Sequence, residues 1–148
     1  SQSFIEERRH IVKRLPIMMG RLRGVAVVTG AGRGIGASCA RILSQHGASV
    51  IVNDLSETEA AAVVSEIQAA GGEALAVAGS VTDSDFPEHL MQTAANHWDD
   101  KELRYVVNNA GFLWDSIAHT MTDDQWDAIL ACHITAPFRL CRAAATFM

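Results

Sequence analysis

The run Thr29-Gly30-Ala31-Gly32-Arg33-Gly34-Ile35-Gly36 holds the residue types that point most directly to chemistry. Glycine adopts positive φ at little cost and lets a backbone come close to a bulky anion. The run follows Gly24-Val25-Ala26-Val27-Val28-Thr29, a short apolar segment of buried-strand type. It precedes apolar residues at helical spacing from Ile35 to His46, with Gly47 as a stop. A strand, a glycine turn and a helix start together aim free amides and the positive dipole end at one point, which suits a phosphate. No Lys-Ser/Thr pair follows the glycines, so a nucleoside-triphosphate loop is not expected. Asp54 closes the next apolar run, 18 residues after Gly36. In a dinucleotide-binding fold a carboxylate there accepts hydrogen bonds from the adenosine ribose hydroxyls and repels a 2′-phosphate. Arg33 pulls the other way, because a guanidinium in the turn can pair with that phosphate. The balance favours NAD, with NADP as the alternative. As a plain turn, Asp54 would only start a loop and Arg33 would be solvated; their joint spacing with the glycines argues against that.

Other chemistry is weakly supported. His10, His46, His89, His97 and His119 show no metal-ligand spacing with each other or with the cysteines, so no metal site is expected. There is no Gly-x-Ser-x-Gly elbow, which disfavours a hydrolase. His97-Trp98-Asp99-Asp100 reads as a helix end and polar loop. Trp114 and Asp115 sit in a loop where they could border a substrate pocket. Cys39, Cys132 and Cys141 are odd in number and lack CxxC spacing, so they read as small buried apolar side chains of a reducing compartment.

The elements that must position the turn alternate regularly. Ser49 to Asn53 is a second buried strand, and Glu73 to Ala78 a third. Ser56-Glu57-Thr58-Glu59 is a capping box that starts a helix running to about Ala70, before Gly71-Gly72. Asp83 to His97 reads as a further helix with Pro87 in its first turn, and Leu103 to Asn108 as a fourth strand. A second capping box, Thr122-Asp123-Asp124-Gln125, opens a helix that could reach the chain end. This order predicts an α/β fold: a doubly wound parallel sheet with right-handed crossovers and helices on both faces.

Composition agrees with one globular domain of 148 residues, 49% hydrophobic and 20% charged. Aromatics make up only 6% and the formal net charge is −5, so a nucleic-acid partner is not expected. No apolar run approaches the roughly 20 residues needed to span a bilayer. The charge is unevenly spread: residues 1–23 carry a net +4 and the other 125 a net −9. Residues 1–18 therefore read as a basic N-terminal extension and 19–148 as the nucleotide-binding portion. The extension fits a solvated arm, or a segment upstream of a start at Met18 or Met19, better than an organelle-targeting peptide, because Glu6 and Glu7 sit badly in the latter. A cytoplasmic location is expected, with a mitochondrial or peroxisomal one left open.

Thr29-Gly-Ala-Gly-Arg-Gly-Ile-Gly36, Asn53-Asp54, Ser80-Val81-Thr82-Asp83 and Asn108-Asn109-Ala110-Gly111 occur in order at familiar spacing. With them the sequence resembles the short-chain dehydrogenase/reductase family, nearest to its 3-oxoacyl-carrier-protein-reductase-like members, over about residues 19–148. The resemblance implies a Rossmann-type sheet binding a nicotinamide dinucleotide, and an oxidoreductase acting on a small carbonyl or secondary alcohol. It implies that Gly30, Arg33, Gly34, Ile35 and Gly36 line the pyrophosphate. Asp54 and Leu55 would flank the ribose, Ser80 and Val81 the adenine, and Asn109, Ala110 and Gly111 the far side of the cofactor. Ser80 stands where aspartate is more usual, yet its hydroxyl can still accept from the adenine amino group.

The same resemblance stops short of the catalytic residues. The family's serine, and its tyrosine with a lysine four residues on, would lie downstream of Met148. The only tyrosine is Tyr105, in the fourth strand, with Asn109 four residues later; the last lysine is Lys101. The sheet is therefore expected to be truncated after its fourth strand and the following helix, and this chain alone to be inactive. The family's helix asparagine falls on His133, within Cys132-His133-Ile134-Thr135-Ala136-Pro137-Phe138. Pro137 cannot donate to the His133 carbonyl and should kink the helix there. By the resemblance that carbonyl holds a water feeding protons to the lysine; a packing kink with His133 as a core histidine explains the same residues equally well. The alternative to the enzyme is a non-catalytic Rossmann module that binds nucleotide or a partner subunit. A homo-oligomer is expected, with the helix from Thr122 in the interface. Trp126, Leu130, Ile134 and Phe138 should form an uncovered stripe on that helix, unless Phe4, Ile5, Ile11, Val12 and Leu15 of the basic arm fold back over it.

Overall fold

A computed structural model describes residues 22–148. The basic extension over 1–18, its boundary, and the arm expected to cover the last helix lie outside the described residues. Strands β1 (Val25–Val28), β2 (Ser49–Asp54), β3 (Ala74–Ala78) and β4 (Leu103–Val107) form one parallel sheet in the order β3-β2-β1-β4. Between them run α1 (Gly34–Gln45), α2 (Glu57–Ala69) and α3 (Phe86–Asn96). After β4 come α4 (Asp123–Leu130), a π-helical turn (Ala131–Thr135) and α5 (Ala136–Ala144).

Alternation along β1 divides the interior into two layers, because successive side chains point to opposite faces. Ala26 and Val28 join Val50 and Val52, and are covered by Ala37 and Ala40 of α1 and Ala60, Val63 and Ile67 of α2. Val25 and Val27 join Ile51 and Leu103, and are covered by Leu90 and Met91 of α3 and Ala136, Leu140 and Ala144 of α5. Helices therefore lie on both faces, as the alternating order predicts.

Three expectations are corrected. The third helix begins at Phe86 rather than Asp83, because the Asp83 N–H donates to the Ser80 carbonyl (3.2 Å) and the Ser80 and Thr82 hydroxyls bond each other (2.7 Å), closing a turn first. The last helix is not continuous. Pro137 offers no N–H, and the chain widens into the π turn just before it, where the Ala136 N–H reaches back five residues to the Ala131 carbonyl. Cys141 is exposed rather than buried, since Leu140 and Ala144 take the inward face of α5; Cys39 is half-buried and Cys132 buried.

Candidate functional site

The β1–α1 turn and the β4 end are tied into one knot by Thr29 and Asn109. The Thr29 hydroxyl oxygen accepts from the N–H groups of Asn109 and Ala110, each at 3.1 Å. The Asn109 amide donates to the carbonyls of Thr29 and Gly30, each at 2.9 Å. Gly30 and Gly36 make this closeness sterically feasible. A Cβ at Gly30 would lie 2.8 Å from Ala110 Cα, and one at Gly36 would lie 2.3 Å from the Gly30 carbonyl oxygen. Their absence of side chain thus serves the packing of the turn before it serves any ligand.

A cleft of about 360 Å³ opens beside the knot, at the carboxyl ends of the strands. It lies between β1, whose crossover leads to one face of the sheet, and β4, whose crossover leads to the other, the usual place for a ligand in such a sheet. Of the residues expected to hold a dinucleotide, Gly30, Arg33, Asp54, Leu55, Ser80, Val81, Asn109, Ala110 and Gly111 line it. Gly34, Ile35 and Gly36 do not: Gly36 is buried in the knot and Ile35 is 81% exposed. The cleft also takes in Asn53, Gly79, Thr82, Phe112 and Cys132, which sequence reasoning did not assign to the site.

The chemistry of the lining suits a nucleotide. Asp54 is oriented by two backbone donors, Gly32 N–H to Oδ2 (2.9 Å) and Ser56 N–H to Oδ1 (3.2 Å). Asn53, fully buried, donates to the carbonyls of Val77 (3.0 Å) and Gly79 (3.1 Å), fixing the end of β3 beside the cleft. The pair Asn53-Asp54 in the sequence was the available signal for this clamp. Helix α1 starts with no side chain capping its first turn, whereas Ser56 caps α2 and Thr122 caps α4. Gly34, at φ +57°, has no protein atom where its Cβ would be. Uncapped amides beside an open glycine form a cradle that fits a pyrophosphate.

His133 lies apart from the cleft lining. Its Nε2 is 2.9 Å from the Phe112 carbonyl oxygen, and its ring rests against Gly111. It thus anchors the backbone that leaves the cleft after Gly111. Cys132 beside it lines the cleft, and burial pushes its thiol above the ordinary cysteine range. Trp114, by contrast, is 47% exposed and outside the lining, as is Asp115. Among the described residues no cluster of histidine, cysteine and acidic side chains could hold a metal, and no helix is long and apolar enough to cross a membrane.

Comparison with known proteins agrees with this geometry. The family model for short chain dehydrogenase matches residues 24–148. A hydroxyacyl-CoA dehydrogenase of Mycobacterium tuberculosis, ChsB1, is 41% identical over 128 residues, covering 83% of this chain and 39% of that protein. A 3-oxoacyl-[acyl-carrier-protein] reductase of Synechocystis is 38% identical over 125 residues, covering 84% of this chain and 50% of that protein. A metagenomic short-chain oxidoreductase solved in complex with NADP superposes with a TM-score of 0.76 at 41% identity, over 83% of this chain and 55% of that one. The chain spans about half the length, or less, of the curated relatives it matches. With the parallel sheet, the glycine knot and the cleft in place, the chain belongs to the short-chain dehydrogenase family.

Proposed function

We infer that these residues are the cofactor-binding portion of an NAD(P)-dependent oxidoreductase, which transfers a hydride between a nicotinamide ring and a carbonyl or secondary alcohol, with NAD preferred. The observation that carries the reading is Asp54, whose carboxylate two backbone N–H groups orient at the cleft, 2.9 and 3.2 Å away. Gly30, Arg33, Gly34 and Ile35 would hold the pyrophosphate, with Gly36 packing the turn behind them, Asp54 and Leu55 the ribose, Ser80 and Val81 the adenine, and Asn109, Ala110 and Gly111 the far side. When bound, the dinucleotide supplies the hydride donor or acceptor. The chain's own part is to orient it: the knot of Thr29 and Asn109 fixes the turn, and His133 fixes the Phe112 backbone beyond Gly111. Relatives named for hydroxyacyl-CoA and 3-oxoacyl-carrier-protein chemistry support a carbonyl or alcohol substrate.

The chemical step needs groups that the described residues do not bring to the cleft. Tyr105 is the only tyrosine in the chain; it pairs opposite Ala26 within the sheet and does not line the cleft. That observation supports the companion reading, a nucleotide-binding module that is inactive by itself. The exposed apolar stripe on α4 and α5 supports a homo-oligomer, and the cysteine usage a reducing, cytoplasmic or organellar compartment.

Replacing Asp54 by alanine removes both an acceptor and a repelling charge. Loss of hydrogen bonding to a charged group weakens NAD binding by about 1.5–3 kcal/mol and narrows the preference over NADP. Calorimetric titration with both cofactors tests this, and an unchanged ratio would overturn the assignment of Asp54.

A further inference from the structure

The acidic first turn of α2 departs from the capping pattern written in the sequence, and the departure brings a second carboxylate to the glycine turn. In a complete capping box Glu59 would reach back to the Ser56 N–H. Here the Ser56 hydroxyl accepts from the Glu59 N–H (3.3 Å), but the Ser56 N–H donates to Asp54 instead (3.2 Å). The Glu59 carboxylate is thereby free, and it lies 3.9 Å from Arg33 Nη1. Gly32 sits between the two acids: a Cβ there would fall 2.8 Å from Glu59 Cβ and 2.9 Å from Asp54 Oδ2. Arg33 lines the cleft, is the only cation of the glycine turn, and has no acidic neighbour within 4 Å among the described residues except Glu59.

We propose that Glu59 biases which nucleotide the cleft accepts: it holds Arg33 back from the ribose end, so that a 2′-hydroxyl is preferred over a 2′-phosphate. The proposal rests on the reading of the cleft as a nucleotide site with Asp54 at the ribose. Arg33 alone would recruit a 2′-phosphate, because guanidinium and phosphate pair strongly. Of the two acids beside the turn, Glu59 and not Asp54 lies within 4 Å of the Arg33 guanidinium. The Arg33 side chain is 83% exposed, so the pair is weak and solvent-screened. Glu59 therefore biases the choice of nucleotide and does not block the site. It is a positioning residue that acts through Arg33.

The test uses the whole chain and two small probes, AMP and adenosine 2′,5′-bisphosphate, which differ in the 2′-phosphate and need no nicotinamide site. Calorimetric titration compares the parent chain, Glu59→Gln, Arg33→Ala and the double variant, each checked for cooperative unfolding. Glu59→Ala serves as a second variant, because the Ser56 cap uses the backbone of residue 59 and survives either change. Glu59→Gln is expected to improve binding of the bisphosphate relative to AMP about two- to fivefold. That gain should vanish when Arg33 is alanine. AMP binding with an unchanged bisphosphate ratio in both Glu59 variants overturns the proposal and leaves the nucleotide site standing. A gain that persists without Arg33 overturns it as well. A parent chain that binds neither probe overturns the cleft reading and this proposal with it.

Discussion

The β1–α1 turn and the α4–α5 flank are built on opposite plans. Around the turn the buried polar side chains have partners: Thr29 accepts two N–H bonds, Asn109 donates two, and the side chains of β1 are fully buried. On the flank, Trp126, Ile134 and Phe138 are 54, 62 and 60% exposed, and Leu130 is half-buried. Among the described residues strand β4 pairs only with β1 and no strand lies on its other edge, and its residues after Leu103 are half-buried or exposed. The turn is a finished piece of structure that can bind; the flank is apolar surface suited to being covered.

The sharpest break of that contrast is turnover. If the turn supplies only cofactor binding, the purified chain should give no NADH- or NADPH-linked reduction or oxidation above blank with simple ketones or secondary alcohols. Measurable turnover would show that the exposed flank carries catalytic groups and would sink the division of labour.

The next largest effect tests how finished the turn is. Thr29→Val keeps the side-chain shape but removes the acceptor for the Asn109 and Ala110 N–H groups. Partly buried donors left without a partner should cost about 2 kcal/mol in total. Urea unfolding measures the loss, and a change below about 0.5 kcal/mol, the range of neutral surface substitutions, would mean that water replaces the hydroxyl and that the knot is looser than its geometry implies.

The turn was also the more legible region. Glycine spacing, a terminal acid and an apolar run are local signals, and they located β1, α1, β2 and, in the cleft's lining, Gly30, Arg33 and Asp54; six further lining residues came only with the family resemblance. What escaped depended on distant partners. Asn53 and Asn109 clamp β3 and the glycine turn through carbonyls 24 to 80 residues away; their motifs mark the two residues but not these partners. Gly36 looks like a phosphate contact in the motif, yet it is buried against Gly30 and Asn109. On the flank, Pro137 announced a break in the helix but not its form, since a kink and a π turn both answer a missing N–H.

A smaller, concentration-dependent effect sharpens the flank's side of the comparison. An open strand edge beside an exposed apolar stripe favours association with a second copy. Light scattering during size exclusion should show species larger than 15.9 kDa that diminish on dilution. Ile134→Glu or Phe138→Glu should weaken the association, because each places a charge on the stripe. A cooperative monomer at micromolar concentration would refute this and make the flank merely solvated.

The smallest effect concerns the end of the sheet opposite the cleft, where charge rather than burial does the joining. Glu73, just before β3, accepts from Lys101 and from the Ser49 hydroxyl (2.6 Å), and Lys101 also donates to Ser49 (2.9 Å). These bonds tie β2, β3 and the approach to β4 together at their amino ends. Hydrogen bonds from Lys101 and Ser49 hold the Glu73 carboxyl below its ordinary range, against the opposing effect of burial. A carboxyl with a lowered folded-state pKa contributes stability that is present above its unfolded value and lost as pH falls through the folded one. The Glu73 side chain is 54% exposed, so screening keeps this contribution below about 1 kcal/mol. Glu73→Gln should therefore lower stability slightly at neutral pH and make the loss of stability below the ordinary glutamate range shallower. Thermal unfolding of both forms from neutral pH to below the ordinary glutamate range measures the difference. Parallel curves would mean that the Lys101 bond is too solvated to matter, and that the sheet's amino end is held by its strands alone.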